Sequence, residues 1–522
     1  MKLLERFDRY EKATYALCFL ALLTLLWVSR FHEIGGYGVE TDFYGSYAWD
    51  AQNLLAGKVL EEPDHGPIYT FVLAGFMLIF GEAFSAAKII SVLSAVGFGL
   101  FAFQTLRTLF SARLAFYTVL LVLVVLTPHA ILASQDVFLA FQVALAVYLL
   151  FRGNRISRAN LFWSGVVSAL ALLTRYDAAI LPAGVALALL LLNPEGWLWK
   201  QRFTMLGVYV GAFFLLFAPW LVFNLIQHGH PLPTRLYTAV GAYYYGGFEN
   251  KIGGEGMAFG ARKFDSISEV ILTDPLFFLA HYLKTLVRHV QKLMGLVLRF
   301  PAYLFFVPGL LLFLANGTRR QLAYFTFPLL GFLILCLTIF NPRYYLYFLP
   351  FLFFFVVYFL FADELAARPV RVFERLRLRH VLGFFFVAVV AFNLYFAVQQ
   401  TRQNVEQEPL ELVEAAEALR SHATPSDLVV ARKPHLGYLA GLRSAYFPET
   451  DSLEELVRYA VTIKARYVLY SEVERQMRPG LSVLANPEHV PPQLAVIYHR
   501  DEPLVAVYEI RAAAAVERDT SN

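Results

Sequence analysis

Long apolar runs separated by short polar segments dominate the chain up to about residue 400. Runs near 13–30, 86–106, 114–127, 137–151, 161–174, 178–193, 204–227, 301–316, 321–340, 344–362 and 381–399 predict about eleven helices that cross the roughly 30 Å of a bilayer's hydrocarbon. The run 67–81 is also apolar and reads as a helix lying in the membrane interface, because counting it as a span spoils the charge pattern described below. Two longer polar stretches, 31–85 and 229–300, read as outer loops. Beyond residue 400 the pattern changes. Leu410 to Leu419 has helical spacing, Asp427 to Arg432 reads as a strand, and Ser452 to Ala465 reads as a helix opened by a capping box of Ser452 and Glu455. Arg466 to Tyr470, Gln493 to His499 and Pro503 to Ile510 read as further strands. The expected architecture is therefore mainly α: a polytopic helix bundle over 1–399, followed by a small α/β domain over 400–522.

Composition supports this division. The 522 residues are 58% hydrophobic and 16% charged, against roughly 25% charged in a soluble chain. Phe (49) and Tyr (29) are abundant, as suits lipid-facing and interfacial positions. The net charge of +4 is spread over short loops and forms no nucleic-acid stripe. Cys18 and Cys336 sit inside apolar runs and read as small packed hydrophobes. The first run follows a basic start and lacks a small-residue cleavage site, so it reads as an uncleaved span.

The basic residues also set an orientation. With the N-terminus inside, the inner segments hold Lys2, Arg6, Arg9 and Lys12, then Arg107 and Arg113, Arg152, Arg155 and Arg158, Lys200 and Arg202, Arg319 and Arg320, and the cluster from Arg368 to Arg379. The short outer segments hold only Lys58, Lys88, Arg175 and Arg343. That asymmetry places the N-terminus in the cytoplasm, and an odd number of spans places the C-terminal domain outside.

Candidate chemistry gathers at the outer ends of the spans: Asp42, Asp50, His65, Lys88, Asp136, Arg175, Asp177 and Arg343. Ionisable groups at membrane depth are functional candidates. A carboxylate can take the proton of an attacking hydroxyl, and cations can hold the charge of a departing phosphate. Each residue also has a structural reading. Asp42 would cap the surface helix that follows it, Asp136 would cap the helix after it, Arg175 and Asp177 would pair with neighbours, and Lys88 and Arg343 would snorkel. Pro342 suits the first turn of a helix, and His65 suits a turn. Asp42, Asp136 and an intervening acid would suit a hard divalent cation, although no cofactor is required by the pattern.

One order of motifs is more specific. An acidic group around Glu40 and Asp42 follows the first span. Then come His65-Gly66-Pro67-Ile68-Tyr69, Phe80-Gly81, Ala86-Ala87-Lys88-Ile89-Ile90-Ser91, Ser134-Gln135-Asp136, Leu173-Thr174-Arg175 and Asn341-Pro342-Arg343-Tyr344. This resembles the GT-C superfamily of integral membrane glycosyltransferases, in particular the bacterial protein-mannosyltransferase and aminoarabinose-transferase-like group of glycosyltransferase family 39. Ala431-Arg-Lys-Pro-His435 and Tyr438-Leu-Ala-Gly441 resemble the C-terminal domains of its bacterial members. The resemblance implies transfer of a sugar, with inversion, from a polyprenyl-phosphate donor to an acceptor of the cell envelope, at the outer face of the plasma membrane. It implies Asp42 as general base and Asp136 as a second catalytic acid. Lys88, Arg175 and Arg343 would hold the lipid phosphate, and His65, Glu40 and Tyr344 would line the substrate site. Many relatives read Asp-Glu where this chain reads Asp42-Phe43. A transporter or flippase of polyprenyl lipids, which would place charges near the bilayer midplane within inverted repeats, and a non-catalytic envelope assembly protein are the competing classes.

Overall fold

A computed structural model describes residues 8–60, 66–232, 234, 236–246, 260, 263–361 and 378–511. The chain divides into two compact units, Met1–His32 with Gly57–Gln403, and Glu33–Ala56 with Asn404–Asn522. Glu33–Ala56, expected within the membrane module as part of its first outer loop, instead clusters with the C-terminal segment.

The first unit is helical. Among the described residues, six helices are long and apolar enough to cross a membrane: Arg9–Phe31, Ala83–Leu109, Ala112–Ala130, Trp199–His228, Pro342–Leu360 and His380–Arg420, the last running on into the second unit. A bent pair, Ile267–Thr273 and Pro275–Leu298, makes up to seven, and four shorter apolar helices accompany them: Ile68–Phe80, Gln135–Phe151, Tyr176–Leu192 and Ala302–Asn316. The difference from about eleven full-length spans has a conformational origin. An apolar run is counted in residues, whereas its reach depends on how those residues are wound. Ala302–Asn316 has 15 residues and reaches about 22 Å at 1.5 Å per residue. Tyr176–Leu192 opens as a 3₁₀ turn and closes as a π turn, ending at Asn193 in the left-handed conformation (φ 48°). The stretch 229–300, expected as a long outer loop, carries the helices Leu236–Tyr245, Ile267–Thr273 and Pro275–Lys292.

Neighbouring helices meet closely where side chains are small, the device that lets helices associate in lipid. Gly165, on the helix Arg158–Leu172, has Tyr209 of Trp199–His228 so near that a Cβ would lie 2.5 Å from its carbonyl oxygen. Cys18 and Cys336 are buried and unpaired, packed as their apolar context suggested.

The second unit is built on a five-stranded sheet: β1 Leu428–Ala431, β2 Arg443–Tyr446, β3 Tyr467–Ser471, β4 Leu494–Arg500 and β5 Val505–Ile510. Its order is β2-β1-β3-β5-β4, with β1 parallel to β2 and β3, and β5 antiparallel to β3 and β4. One face packs Val430, Val468, Tyr470, Ala506 and Tyr508 under the helix Leu453–Thr462. The other packs Val429, Ala431, Tyr467, Leu469 and Val507 under the helix Glu411–Arg420, with Tyr37 joining that face. Four of the strands and both helices fall where the sequence pattern predicts them. β2 was not expected: Arg-Ser-Ala-Tyr is half-buried without alternation and is a strand because β1 offers it an edge. Ser452 caps the helix Leu453–Thr462 as expected, accepting from Glu455 N at 3.4 Å. The reciprocal half of the box is replaced, since the Glu455 carboxylate takes the Thr450 hydroxyl and Thr450 Oγ1 accepts the Ser452 N–H at 3.0 Å.

Candidate functional site

In the helical unit, three expected site residues and one expected lining residue converge. Asp136 sits in the first turn of Gln135–Phe151, but it is not the cap. Ser134 fills that place: its Oγ accepts the Asp136 N–H at 3.0 Å and donates to Asp136 Oδ2 at 2.7 Å. The carboxylate is thereby free to face cations. Arg175 Nη1 donates to Asp136 Oδ1, and Arg343 Nε lies 3.9 Å from Oδ2. Arg175 also donates from Nε to Asp177 Oδ1 at 3.1 Å. Tyr344 completes the group. Arg175 and Arg343 place their guanidinium carbons 4.6 and 5.1 Å from its ring centroid, and Arg343 Nη2 donates to its hydroxyl at 3.3 Å. Stacking on an aromatic face suits a planar guanidinium while it keeps its hydrogen-bonding edge.

Local sequence explains how these side chains arrive together. Arg175 is extended (φ −149°, ψ 137°) between the end of Arg158–Leu172 and the 3₁₀ turn Tyr176–Ala179. Pro342 opens the 3₁₀ segment Pro342–Phe348 as expected, and Asn341 Oδ1 accepts the Arg343 N–H at 3.2 Å. Gly66 is pressed against Leu173: a Cβ there would lie 1.9 Å from the Leu173 carbonyl oxygen, which also accepts the Ile68 N–H at 3.1 Å. No side chain fits that contact, so the Gly-Pro step fixes the helix Ile68–Phe80 against the turn that carries Arg175. Lys88 lies on Ala83–Leu109, where its ammonium donates to the carbonyls of Ser29, at 2.9 Å, and His32. One turn further on, Ser91 Oγ donates to the carbonyls of Leu132 (2.7 Å) and Ser134 (3.2 Å), fastening this helix to the Asp136 turn. Ser91 and Ser134 were in the sequence motifs without a role. His65 lies outside the described residues.

Asp42 and Glu40 belong to the α/β unit. Asp42 is not a helix cap. Glu40–Asp42 is a turn of α-helix that passes into a π turn, Phe43–Tyr47, and then into Ala48–Leu55; Asp42 itself is helical (φ −68°, ψ −34°) and makes no side-chain capping bond. π turns inside helices recur at functional sites. Glu40 is buried and accepts the Gly36 N–H at 3.3 Å. The segment is held within its own unit at several points. The Glu408 carboxylate accepts the N–H groups of Glu33 (2.9 Å) and Ile34 (2.8 Å). Lys433 Nζ donates to the Tyr37 carbonyl and, at 3.1 Å, to Thr41 Oγ1. His435 Nε2 donates to the Gly36 carbonyl at 3.2 Å. The rings of Tyr37 and Tyr44 pack on His435 at 5.1 and 4.8 Å. Burial pushes the Lys433 ammonium down to about 8, with Arg432 adding to the shift and Asp42 and Glu474 opposing it. Burial likewise lowers His435 to about 3. Lys433, Glu408 and His435 were missed as site-supporting residues, because their partners lie almost four hundred residues away in sequence. Among the described residues, no group of three His, Cys, Asp or Glu side chains is placed to hold a metal ion.

Comparison with known proteins bears on the fold. Residues 64–223 match the family model described as dolichyl-phosphate-mannose-protein mannosyltransferase. No curated protein matches the chain. The fold is similar to that of ArnT from Cupriavidus metallidurans bound to undecaprenyl phosphate, with 15% identity, a TM-score of 0.60, and coverage of 95% of this chain and 97% of that one. It is also similar to the archaeal oligosaccharyltransferase AglB from Archaeoglobus fulgidus in complex with an inhibitory peptide and a dolichol-phosphate, with 13% identity, a TM-score of 0.57, and coverage of 96% and 74%. A further structure of the Archaeoglobus fulgidus oligosaccharyltransferase, in complex with Zn and sulfate, matches at 13% identity and a TM-score of 0.58 over 86% of this chain and 68% of that one. The resemblance carried by the sequence motifs therefore holds at the level of fold: the chain has the GT-C membrane fold, with several helices long and apolar enough to cross a bilayer, and its residues 64–223 match the dolichyl-phosphate-mannose-protein mannosyltransferase family.

Proposed function

We propose that this protein is an inverting glycosyltransferase that moves a sugar from a polyprenyl-phosphate donor to a hydroxyl or amine of an envelope acceptor on the outer side of the plasma membrane. The observation that carries this reading is the Asp136–Arg175–Arg343–Tyr344 group, two guanidiniums stacked on one tyrosine and sharing the Asp136 carboxylate. Such a group is chemically suited to an anionic phosphate, because planar guanidiniums bind phosphate oxygens in pairs of parallel hydrogen bonds. The bound lipid phosphates of the two similar structures support the same class of ligand.

In this reading Asp42 is the general base. The acceptor oxygen or nitrogen attacks the anomeric carbon as its proton passes to the Asp42 carboxylate. The bond from that carbon to the phosphate oxygen breaks, and the electron pair leaves with the polyprenyl phosphate. A single displacement inverts the anomeric centre. Lys88, Arg175 and Arg343 stabilise the charge that develops on the leaving phosphate. Asp136 orients the two arginines, and Glu40, His65 and Tyr344 line the site. The N-terminus is cytoplasmic and the α/β domain extracytoplasmic. The reaction requires no cofactor in this scheme; a divalent cation at the carboxylates would serve to neutralise the same phosphate.

The test is sugar transfer by the purified protein in lipid, using a panel of radiolabelled polyprenyl-phosphate sugars with a cell-envelope extract, beside Asp42→Ala. Label that reaches an acceptor only with Asp42 intact is the expected result. Near-normal turnover by the variant removes Asp42 as base. Movement of the lipid across the bilayer without consumption of any donor replaces the enzyme with a flippase.

A further inference from the structure

Strand β1 lies between β2 and β3, with all three parallel. The chain leaves β1 to one side to make β2, then crosses to the other side to make β3. The order thus reverses at β1, and in open α/β sheets ligands bind outside the carboxyl ends of the strands at such a switch point. Here the residues that leave the carboxyl end of β1 are Arg432, Lys433, Pro434 and His435. Those that leave β3 lead to Glu474, whose Oε1 accepts the Arg432 N–H at 2.8 Å. Lys433 Nζ and His435 Nε2 donate into the chain's own loop, to the Tyr37 and Gly36 carbonyls and the Thr41 hydroxyl. The loop occupies the place that a bound ligand takes in other sheets of this kind.

We infer that the α/β domain holds the first loop as its ligand, and that Lys433 is a positioning residue that ties the turn Gly36–Thr41, which leads into Asp42, to the sheet. This rests on the assignment of Asp42 as general base. Two bonds from one ammonium fix residues on both sides of the turn, so the start of the helix carrying Asp42 has little freedom to drift.

The experiment compares wild type, Lys433→Met, Lys433→Arg and Asp42→Ala, each as the full chain in lipid. The rate is followed with the radiolabelled polyprenyl-phosphate sugar that the wild type consumes, and amide hydrogen exchange is followed over residues 36–42. Loss of both bonds from a charged donor should slow Lys433→Met by about tenfold or more and quicken exchange over 36–42, and Lys433→Arg, which keeps a charged donor, should restore both. Unchanged exchange in Lys433→Met, or no rescue by Lys433→Arg, overturns the tie. If Asp42→Ala is inactive while Lys433→Met behaves as wild type, the inference fails and the assigned reaction stands. If Asp42→Ala remains active or no donor is consumed, the assignment of Asp42 fails, and the exchange data alone decide whether Lys433 holds the loop.

Discussion

Replacing Asp136 by Ala isolates the balance of charge in the helical unit. The Asp136 and Arg175 side chains are 6% and 16% exposed, so water cannot readily take over the work of the carboxylate. Removal leaves Arg175 with Asp177 at 3.1 Å and leaves Arg343 without this carboxylate. Truncating one partner of a buried ion pair costs about 3–5 kcal/mol, because the other charge stays behind uncompensated. The low end, about 3 kcal/mol, applies here since Asp177 still faces Arg175. Replacing both members by apolar groups, as in Asp136→Leu with Arg175→Met, takes out the charge that either single variant leaves behind within this pair, an exchange that is often close to neutral for a whole pair, while Asp177 and Arg343 each lose one partner. The pair should therefore couple, the double variant being more stable than the sum of its singles by about 2 kcal/mol. Unfolding of the purified variants by titration with SDS, followed by tryptophan fluorescence, supplies the comparison. Additive losses, or an Asp136→Ala protein as stable as wild type, would refute the claim that this carboxylate balances the arginines. Transfer activity should be lost in the double variant even where stability returns, because the proposed phosphate-binding cation is gone.

Two further outcomes follow from single contacts. Gly66→Ala should destabilise the helical unit by about 1–3 kcal/mol or more, the range for overpacking, since its Cβ would lie 1.9 Å from the Leu173 carbonyl oxygen; an unchanged unfolding midpoint would refute the contact. His435 is lowered to about 3 by burial against about 6.5 when unfolded, so between these values the unfolded chain binds a proton that the folded one does not. Its contribution should be intact above about 6.5 and fall on acidification toward about 3 by about 1.4 kcal/mol per pH unit, and His435→Gln should remove that component of the pH slope in an unfolding series from pH 7 to 4.

The architecture was legible because lipid imposes a strong pattern. Apolar runs read directly as helices, and Pro342 marked the start of its helix, whereas a count of residues overstated how many reach across. The strands of the C-terminal domain showed themselves by alternating or continuous apolar runs. Features fixed by distant partners did not show. β2 has no pattern of its own and exists through its pairing with β1. Asp42 and Asp136 both sit where a capping carboxylate is expected, yet one lies inside a continuous helical run and the other yields the cap to Ser134. Short-range spacing cannot separate a cap from a carboxylate two positions on, because the outcome depends on what stands opposite: for Asp136, two arginines from other segments. Likewise the motif Ala431–His435 was visible, while its partners at Gly36, Tyr37 and Thr41 were not.

The association of Glu33–Ala56 with Asn404–Asn522 in one compact unit bears on how this protein can be divided and exchanged. A gene segment encoding only the C-terminal residues would not carry the whole unit. It would leave the carboxyl ends of β1 and β3 uncovered, with Lys433, His435 and Glu408 deprived of the backbone groups they bind. Recombination between relatives at residue 400 would join a loop from one parent to a cradle from the other, so those two stretches should travel, and change, together. A functional graft of the α/β domain accordingly needs two separate insertions, one near the start of the chain and one at its end.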